Sequence, residues 1–84
     1  MTQEQYQGLA ALRAELDRID DEILDLIEQR LAASADIAAQ KDAEGDRHLK
    51  VRPRRQAEIL QRLQARARTA APGLVAEVWR EIMG

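Results

Sequence analysis

Two cationic side chains fall on one apolar face of a predicted helix, an arrangement that suits the binding of a small anion. Arg30 interrupts a run of Leu, Ile and Ala spaced three and four residues apart, and Lys41 follows eleven residues later. That spacing is almost three helical turns, so both side chains share a face, with backbones about 16 Å apart. Because an unpaired buried charge is costly, Arg30 needs an anionic partner: a bound anion, or an Asp or Glu of a neighbouring helix. Lys41 could instead only end its helix, where a cation is favourable.

Gln56 and Arg55 form a second candidate pair. Gln56 lies four residues before Leu60 on the inward face of another predicted helix, and its amide can donate and accept hydrogen bonds without charge. It could equally be a solvated or capping residue of the first turn. Arg55, at the edge of that face, could flank the same pocket.

Arg13 precedes Arg30 by about 25 Å of helical rise and is a quarter turn off its face, so it cannot reach the site of Arg30 from the same helix. An antiparallel partner helix could bring it there.

The composition excludes several kinds of chemistry. The chain has no Cys and one His, His48, which rules out thiolate nucleophiles, Cys-based zinc sites and His clusters, so we expect no metal site and no cofactor. Five Lys and Arg residues fall within 47–55, but no aromatic residue that could stack on bases is interleaved with them and the net charge is −2, so no nucleic-acid partner is expected. No apolar run approaches the roughly 20 residues that cross a bilayer, and no secretory signal is visible. A soluble, cytoplasmic protein without a membrane partner is expected.

The first half of the chain predicts one long helix that pairs with a second copy. No Pro occurs between Thr2 and Lys41, the only Gly is Gly8, and Thr2 with Gln5 matches a capping box. A helix from residue 5 to 41 would be roughly 55 Å long, about twice the diameter of a compact domain of this size. The rest of the chain cannot cover it, and no disulfide supports a small core, so we predict a homodimer. One apolar stripe consists of Leu9, Leu12, Leu16, Ile19, Ile23, Leu26, Ala33 and Ile37, and a second of Leu24, Ile27, Leu31 and Ala38.

The second half of the chain predicts two shorter helices. Residues 42–52 are typical of a loop, and Pro53 suits the first turn of the next helix. The sequence Ala-Ala-Pro-Gly at 70–73 ends that helix, and a third one of about three turns runs to Gly84. The expected fold class is all-α, with three helices, one of them very long, in a single domain of residues 1–84. The inward residues are expected to be Gln56, Ile59, Leu60, Leu63 and Ala67 in the second helix and Leu74, Val75, Val78, Trp79, Ile82 and Met83 in the third.

An ordered set of charged and polar residues runs through this apolar pattern. It comprises Leu12–Arg13, Leu16, Ile19–Asp20 and Ile23; Leu26–Ile27–Glu28–Gln29–Arg30; Ala38–Ala39–Gln40–Lys41; and Val51–Arg52–Pro53–Arg54–Arg55–Gln56 with Ile59–Leu60. The set resembles the all-helical chorismate mutases, whose small subunits form an intertwined three-helix dimer. The similarity covers about residues 9–83. A single Leu-Arg pair is a weak signal, but the ordered succession of Arg, Arg, Lys, Arg and Gln is fairly specific.

The resemblance implies an isomerase that converts chorismate to prephenate in aromatic amino-acid biosynthesis. It implies that Lys41 donates to the ether oxygen, that Arg30 and Arg55 bind carboxylates or line the site, and that the other subunit supplies Arg13. Gln56 stands where many relatives carry Glu, and an amide can donate to the ether oxygen at any pH. The chemistry agrees, because a [3,3] rearrangement needs no nucleophile or metal, only a correctly folded dianion and stabilised charge on the breaking C–O bond.

Two departures from the family pattern keep other functions open. Arg52 stands where relatives often carry an Asp used toward the substrate hydroxyl, so it is either a substrate-binding residue or a loop cation. The third helix stops at Gly84, whereas relatives continue for another turn or more with polar residues that complete the site, which predicts a trimmed form or weak catalysis. The alternatives are an isochorismate-pyruvate lyase, similar in fold and in its cationic site, and a non-catalytic helical dimerisation or regulatory module.

Overall fold

The described part of the chain consists of helices and a short turn at 67–71, as the apolar spacing predicts. The computed structural model describes residues 3–43 and 53–84, and the side chains from residue 8 onwards within those ranges. No strand occurs among these residues, which confirms the all-α class. The described helices are α1 (Gln3–Ala43), α2 (Pro53–Arg66) and α3 (Pro72–Met83).

Two compact units make up the chain, Met1–Gly45 and Asp46–Gly84. The first contains α1, and the second contains α2 and α3. Neither unit has a described helix with the length and apolar content required to cross a bilayer.

Helix α1 is continuous over 41 residues, about 60 Å by helical rise. It extends beyond the predicted bounds at both ends. The prediction that a loop begins at Asp42 is wrong for its first two positions, because Asp42 and Ala43 continue the helix and no Pro or Gly interrupts it before Gly45. Thr2, the predicted capping residue, and residues 44–52 lie outside the described residues.

The surface of α1 combines ion pairs with an exposed apolar stripe. The Arg18 guanidinium donates to Glu15 Oε1 at 2.6 Å and to Glu22 Oε1 at 2.5 Å, one turn before and one turn after it. Such exposed pairs stabilise a helix by only about 0.3–0.5 kcal/mol each. Seven large apolar side chains along α1 stay 48–65% exposed: Leu12, Leu16, Ile23, Leu24, Leu26, Leu31 and Ile37.

Helices α2 and α3 pack against each other around a small core. Ile59 of α2 and Val75 of α3 are the buried residues among those described. The Gln64 amide also donates to the Pro72 carbonyl at 3.1 Å and so links the end of α2 to the start of α3. The inward face predicted for α2 is confirmed, because its members are buried or half-buried. The predicted end of α2 is wrong, because the helix ends at Arg66, so that Ala67 follows it and the break at 70–73 comes later.

The boundaries of α3 differ slightly from the predicted ones. Pro72 is its first residue, and Ala71 is its N-cap with extended dihedrals of φ −65° and ψ 146°. The break predicted at 70–73 therefore ends at Ala71, and Pro72 and Gly73 already belong to the helix. Proline suits this position, where its missing N–H would have no helical partner. Leu74 and Val78, predicted to point inward, are 53% and 41% exposed. The inward face of α3 instead consists of Val75, Ala76, Trp79, Ile82 and Met83.

Candidate functional site

Arg30 is half-buried in an apolar stretch of α1. The residues one turn away on either side carry no acidic group, and no described carboxylate of α1 comes within ion-pairing distance of the guanidinium. Arg30 therefore has no acidic partner within the described part of α1. The neighbours one turn away are Leu26, Ile27, Ala33 and Ser34.

Lys41 shares the face of α1 on which Arg30 lies. The helix is unbroken between them, so their backbones are about 16 Å apart along the axis and differ by only a small rotation. Lys41 is also half-buried, although it lies in the last turn of α1. A cation is favourable at that end of a helix, so the position suits Lys41 whether or not it also binds an anion.

Arg13 lies on a more exposed part of α1. Its side chain and that of Asp17, one turn later, line a shallow surface depression of about 250 Å³. The other walls of the depression are small or apolar: Leu9, Ala10 and Ala14. Because Arg13 and Arg30 are about 25 Å apart by helical rise on one continuous helix, the two cannot bind one small molecule from the same copy of α1.

Gln56 lines a groove between α2 and α3 with a volume of about 360 Å³. The amide is half-buried, as the inward position predicts, and Leu60 lies one turn further along α2 in the same wall. The opposite wall belongs to α3 and includes an arginine, Arg80, that the sequence analysis did not single out. The one feature of the sequence that relates Arg80 to the groove is its spacing: it follows Ala76, another groove residue, by four positions, about one helical turn.

Among the described residues, Arg55 approaches a carboxylate only at the outer limit of ion-pairing distance. Its Nη1 is 3.9 Å from Glu58 Oε2, and Arg54 Nε is 3.8 Å from Glu58 Oε1, both at the outer limit for an ion pair. The Arg55 side chain is 67% exposed, so this pair leaves the guanidinium available to a ligand. Arg52 and His48 lie outside the described residues.

The candidate residues thus form two groups, one in each unit. The first is the pair of half-buried cations on α1, and the second is the groove of α2 and α3 with its neutral amide and its arginine. Both groups suit recognition of an anion by fixed positive charge and neutral hydrogen-bond donors. Among the side chains described, no cluster of three or more His, Asp or Glu residues is arranged to hold a metal ion.

Comparison with known proteins identifies one family. The family model for chorismate mutase type II matches residues 12–84, which is nearly the whole chain and includes every candidate site residue. No curated protein and no solved structure matches the chain.

Proposed function

The chain belongs to the chorismate mutase type II family, a family of isomerases, and we propose that it converts chorismate to prephenate in aromatic amino-acid biosynthesis. In this proposal Lys41 and Gln56 are the catalytic donors. Arg30 and Arg55 bind the substrate carboxylates, and the partner subunit's Arg13 completes the site. Arg52, which stands where relatives often carry Asp, is a further substrate-binding residue in this proposal.

The reaction makes limited demands on the protein. The C–O ether bond breaks while a C–C bond forms within the same molecule, so no atom leaves and no external nucleophile or proton is required. Negative charge builds up on the ether oxygen as its bond to carbon stretches. The protein must hold a dianion in the folded conformer and stabilise that oxygen with donors already in place.

The surroundings of Arg30 carry the proposal. A half-buried guanidinium whose helical neighbours carry no charge lacks the compensation that an arginine ordinarily finds. Arg18 of the same helix shows the ordinary case, since it is exposed and paired with two glutamates. A bound carboxylate would provide Arg30 with the anion that its own helix does not, and chorismate has two carboxylates.

The two proposed donors differ in chemistry but suit the same oxygen. The Lys41 ammonium brings a full positive charge, which stabilises the developing oxyanion most strongly. The Gln56 amide is neutral and donates without gaining or losing a proton. Half-burial of both side chains supports their roles, because donors screened from water act more strongly than donors in open solvent.

A homodimer with shared active sites is part of the proposal. The seven exposed apolar side chains of α1, which belong to both predicted stripes, form a larger apolar surface than a small monomeric protein usually leaves in water. A second α1 lying against it would bury that stripe, and an antiparallel arrangement would carry Arg13 toward the Arg30 end of its partner.

The test is chorismate consumption by the wild type beside Lys41→Ala. Removing a donor to the developing oxyanion costs about 2.7–4 kcal/mol, so we expect kcat to fall by a factor of roughly 10²–10³. Arg18→Ala is the matched control, because it removes a cation of α1 that glutamates already neutralise, and it should keep the wild-type rate.

Product analysis identifies the reaction itself. Prephenate from chorismate supports the proposal, whereas salicylate and pyruvate from isochorismate would identify a lyase. If purified protein forms neither product and does not bind a transition-state analogue of the mutase reaction, it is a non-catalytic helical module. Equal rates for the wild type and Lys41→Ala would reject the site proposed here.

A further inference from the structure

Arg80 lies in the groove of Gln56, yet the proposed function assigns it no role. Gln56 and Leu60 of α2 form one wall of the groove, and Ala76, Arg80 and Met83 of α3 form the other, with Gly84 at its end. All of these residues belong to the same compact unit. The groove therefore brings an arginine and the proposed donor Gln56 to a single cavity.

The guanidinium of Arg80 is available for binding. Its side chain is exposed, and no carboxylate of the described residues lies within ion-pairing distance of it, although Glu77 and Glu81 are near in sequence. Arg54 and Arg55 of the same unit behave differently, because both approach Glu58.

The walls of the groove favour an anion beside Arg80. Ala76, one turn before it, is small and leaves room next to the guanidinium, while Leu60 and Met83 are apolar. Apolar walls lower the local dielectric and strengthen the attraction between a cation and an anion. The volume of about 360 Å³ falls within the range of about 300–1,000 Å³ that is usual for small-molecule sites.

We propose that Arg80 binds one carboxylate of the dicarboxylate substrate, beside the ether oxygen that Gln56 contacts. The planar guanidinium can hold a carboxylate through two parallel hydrogen bonds. This inference depends on the proposed function, because it takes Gln56 to face the substrate. The carboxylate keeps its charge from ground state to transition state, so Arg80 binds both equally and acts mainly on KM.

The experiment compares Arg80→Ala and Arg80→Lys with Arg62→Ala. Arg62 is an exposed arginine of α2 that does not line the groove, so its removal changes the net charge of the unit equally. For Arg80→Ala we expect KM to rise about 10- to 100-fold, as for loss of a hydrogen bond to a charged group, with kcat within about threefold of wild type. Arg80→Lys should recover part of the loss, and Arg62→Ala should match the wild type.

Two further measurements separate binding from structure. Direct calorimetric binding of chorismate should weaken in Arg80→Ala by the same factor as KM rises, and the salt dependence of kcat/KM should become shallower because one charge contact is gone. Thermal unfolding should be unchanged, since the side chain is exposed.

Each result decides between the two proposals. If the wild type forms prephenate and Arg80→Ala has the KM, affinity and salt dependence of Arg62→Ala, the role of Arg80 is wrong while the proposed function stands. If the wild type binds chorismate without converting it, the proposed function fails and the affinity of Arg80→Ala still decides the role of Arg80. If the wild type does not bind chorismate, both are overturned.

Discussion

Arg18 and Arg30 are both arginines of α1, yet their surroundings within the helix differ. Arg18 has a glutamate one turn before and one turn after it, so it stabilises the exposed face of the helix. Arg30 has only apolar residues and a serine at the corresponding positions. In the proposed function, the donors that Arg30 leaves unused within its own helix bind a substrate carboxylate.

Replacing Arg30 by leucine should separate activity from stability. Arg30→Leu continues the apolar stripe, so we expect the free energy of unfolding to stay the same or to rise by roughly 1 kcal/mol. Activity should fall by about 10- to 100-fold in kcat/KM, because a hydrogen-bonded contact to a substrate carboxylate is lost. Denaturant unfolding and steady-state kinetics measure the two effects.

Arg18→Leu is the control for this change. It should keep full activity and lose at most about 1 kcal/mol of stability with its exposed ion pairs. A loss of several kcal/mol in Arg30→Leu would mean that Arg30 has a structural anionic partner, which is the alternative that the sequence leaves open.

Gln56 offers a test of pH dependence. A glutamate in its place must be protonated before it can donate to the ether oxygen, and an ionised carboxylate would repel that oxygen. The protonated fraction rises as the pH falls, so Gln56→Glu should be slow at neutral pH and gain activity toward acid pH. The wild type should show no such rise, because an amide donates in the same way across this range.

The measurement is kcat against pH for Gln56→Glu beside Gln61→Glu. Gln61 is an exposed residue of α2, so its replacement adds the same charge without touching the groove. A flat profile with full activity in Gln56→Glu would remove Gln56 from the catalytic donors.

At the scale of the elements, local sequence signals predicted most of the helices. The absence of Pro in the first half predicted α1, and Pro53 predicted the start of α2. The errors fall at ends, where Asp42 and Ala43 continue α1 and Pro72 begins α3 rather than ending α2. The end of a helix depends on one or two residues whose conformational preferences are weak. Proline, for example, suits the first turn of a helix as well as a break between helices.

Features that depend on how α2 packs against α3 could not be read from the sequence. The apolar spacing placed Val78 inward, but the contact rotates α3 so that Ala76 lines the groove and Val78 faces out. The same rotation brings Arg80 into the groove opposite Gln56. The hydrogen bond from Gln64 to Pro72 likewise needs the final geometry of the turn. Helical periodicity gives the faces of an element but not the exact residues at a contact.

Gly8 is a weak point of α1 that can be strengthened. A methyl group added there would meet no atom within 4 Å outside the helix's own local backbone. Gly8→Ala should therefore raise the free energy of unfolding by about 0.5–1 kcal/mol, because alanine loses less backbone freedom in a helix. Thermal unfolding at fixed protein concentration measures the change.

The reverse substitution nearby provides the control for Gly8. Ala10→Gly, at another exposed position of α1, should lower the stability by a similar amount. If Gly8→Ala destabilises the protein instead, a contact outside the described residues or with a second copy requires glycine at this position.

For the molecule as a whole, the distribution of apolar residues supports assembly. Two residues are buried among those described, while seven large apolar side chains of α1 remain exposed. A chain of 84 residues without a disulfide has little core of its own to rely on. Association along α1 would bury the stripe and, in the proposed function, complete each site with Arg13 from the other subunit.

Mixing two inactive variants tests this shared site directly. Arg13→Ala and Lys41→Ala should each be nearly inactive alone, yet a refolded equimolar mixture should recover activity. In a heterodimer one site receives both substituted residues and the other receives neither, so random pairing restores about a quarter of the wild-type rate. Sedimentation equilibrium establishes the dimer first, and prephenate formation then measures the recovery.

The pattern of recovery distinguishes a shared site from a self-contained one. If Arg13 served the site of its own subunit, every subunit in the mixture would still carry one defect, and no activity would return. Mixing Arg30→Ala with Lys41→Ala is the matched control, because in the proposed function both residues serve the site of their own subunit and neither heterodimer site is then intact. Recovery in the first mixture and not in the second would place Arg13 across the subunit boundary from Lys41, whereas no recovery in either would assign it to its own subunit.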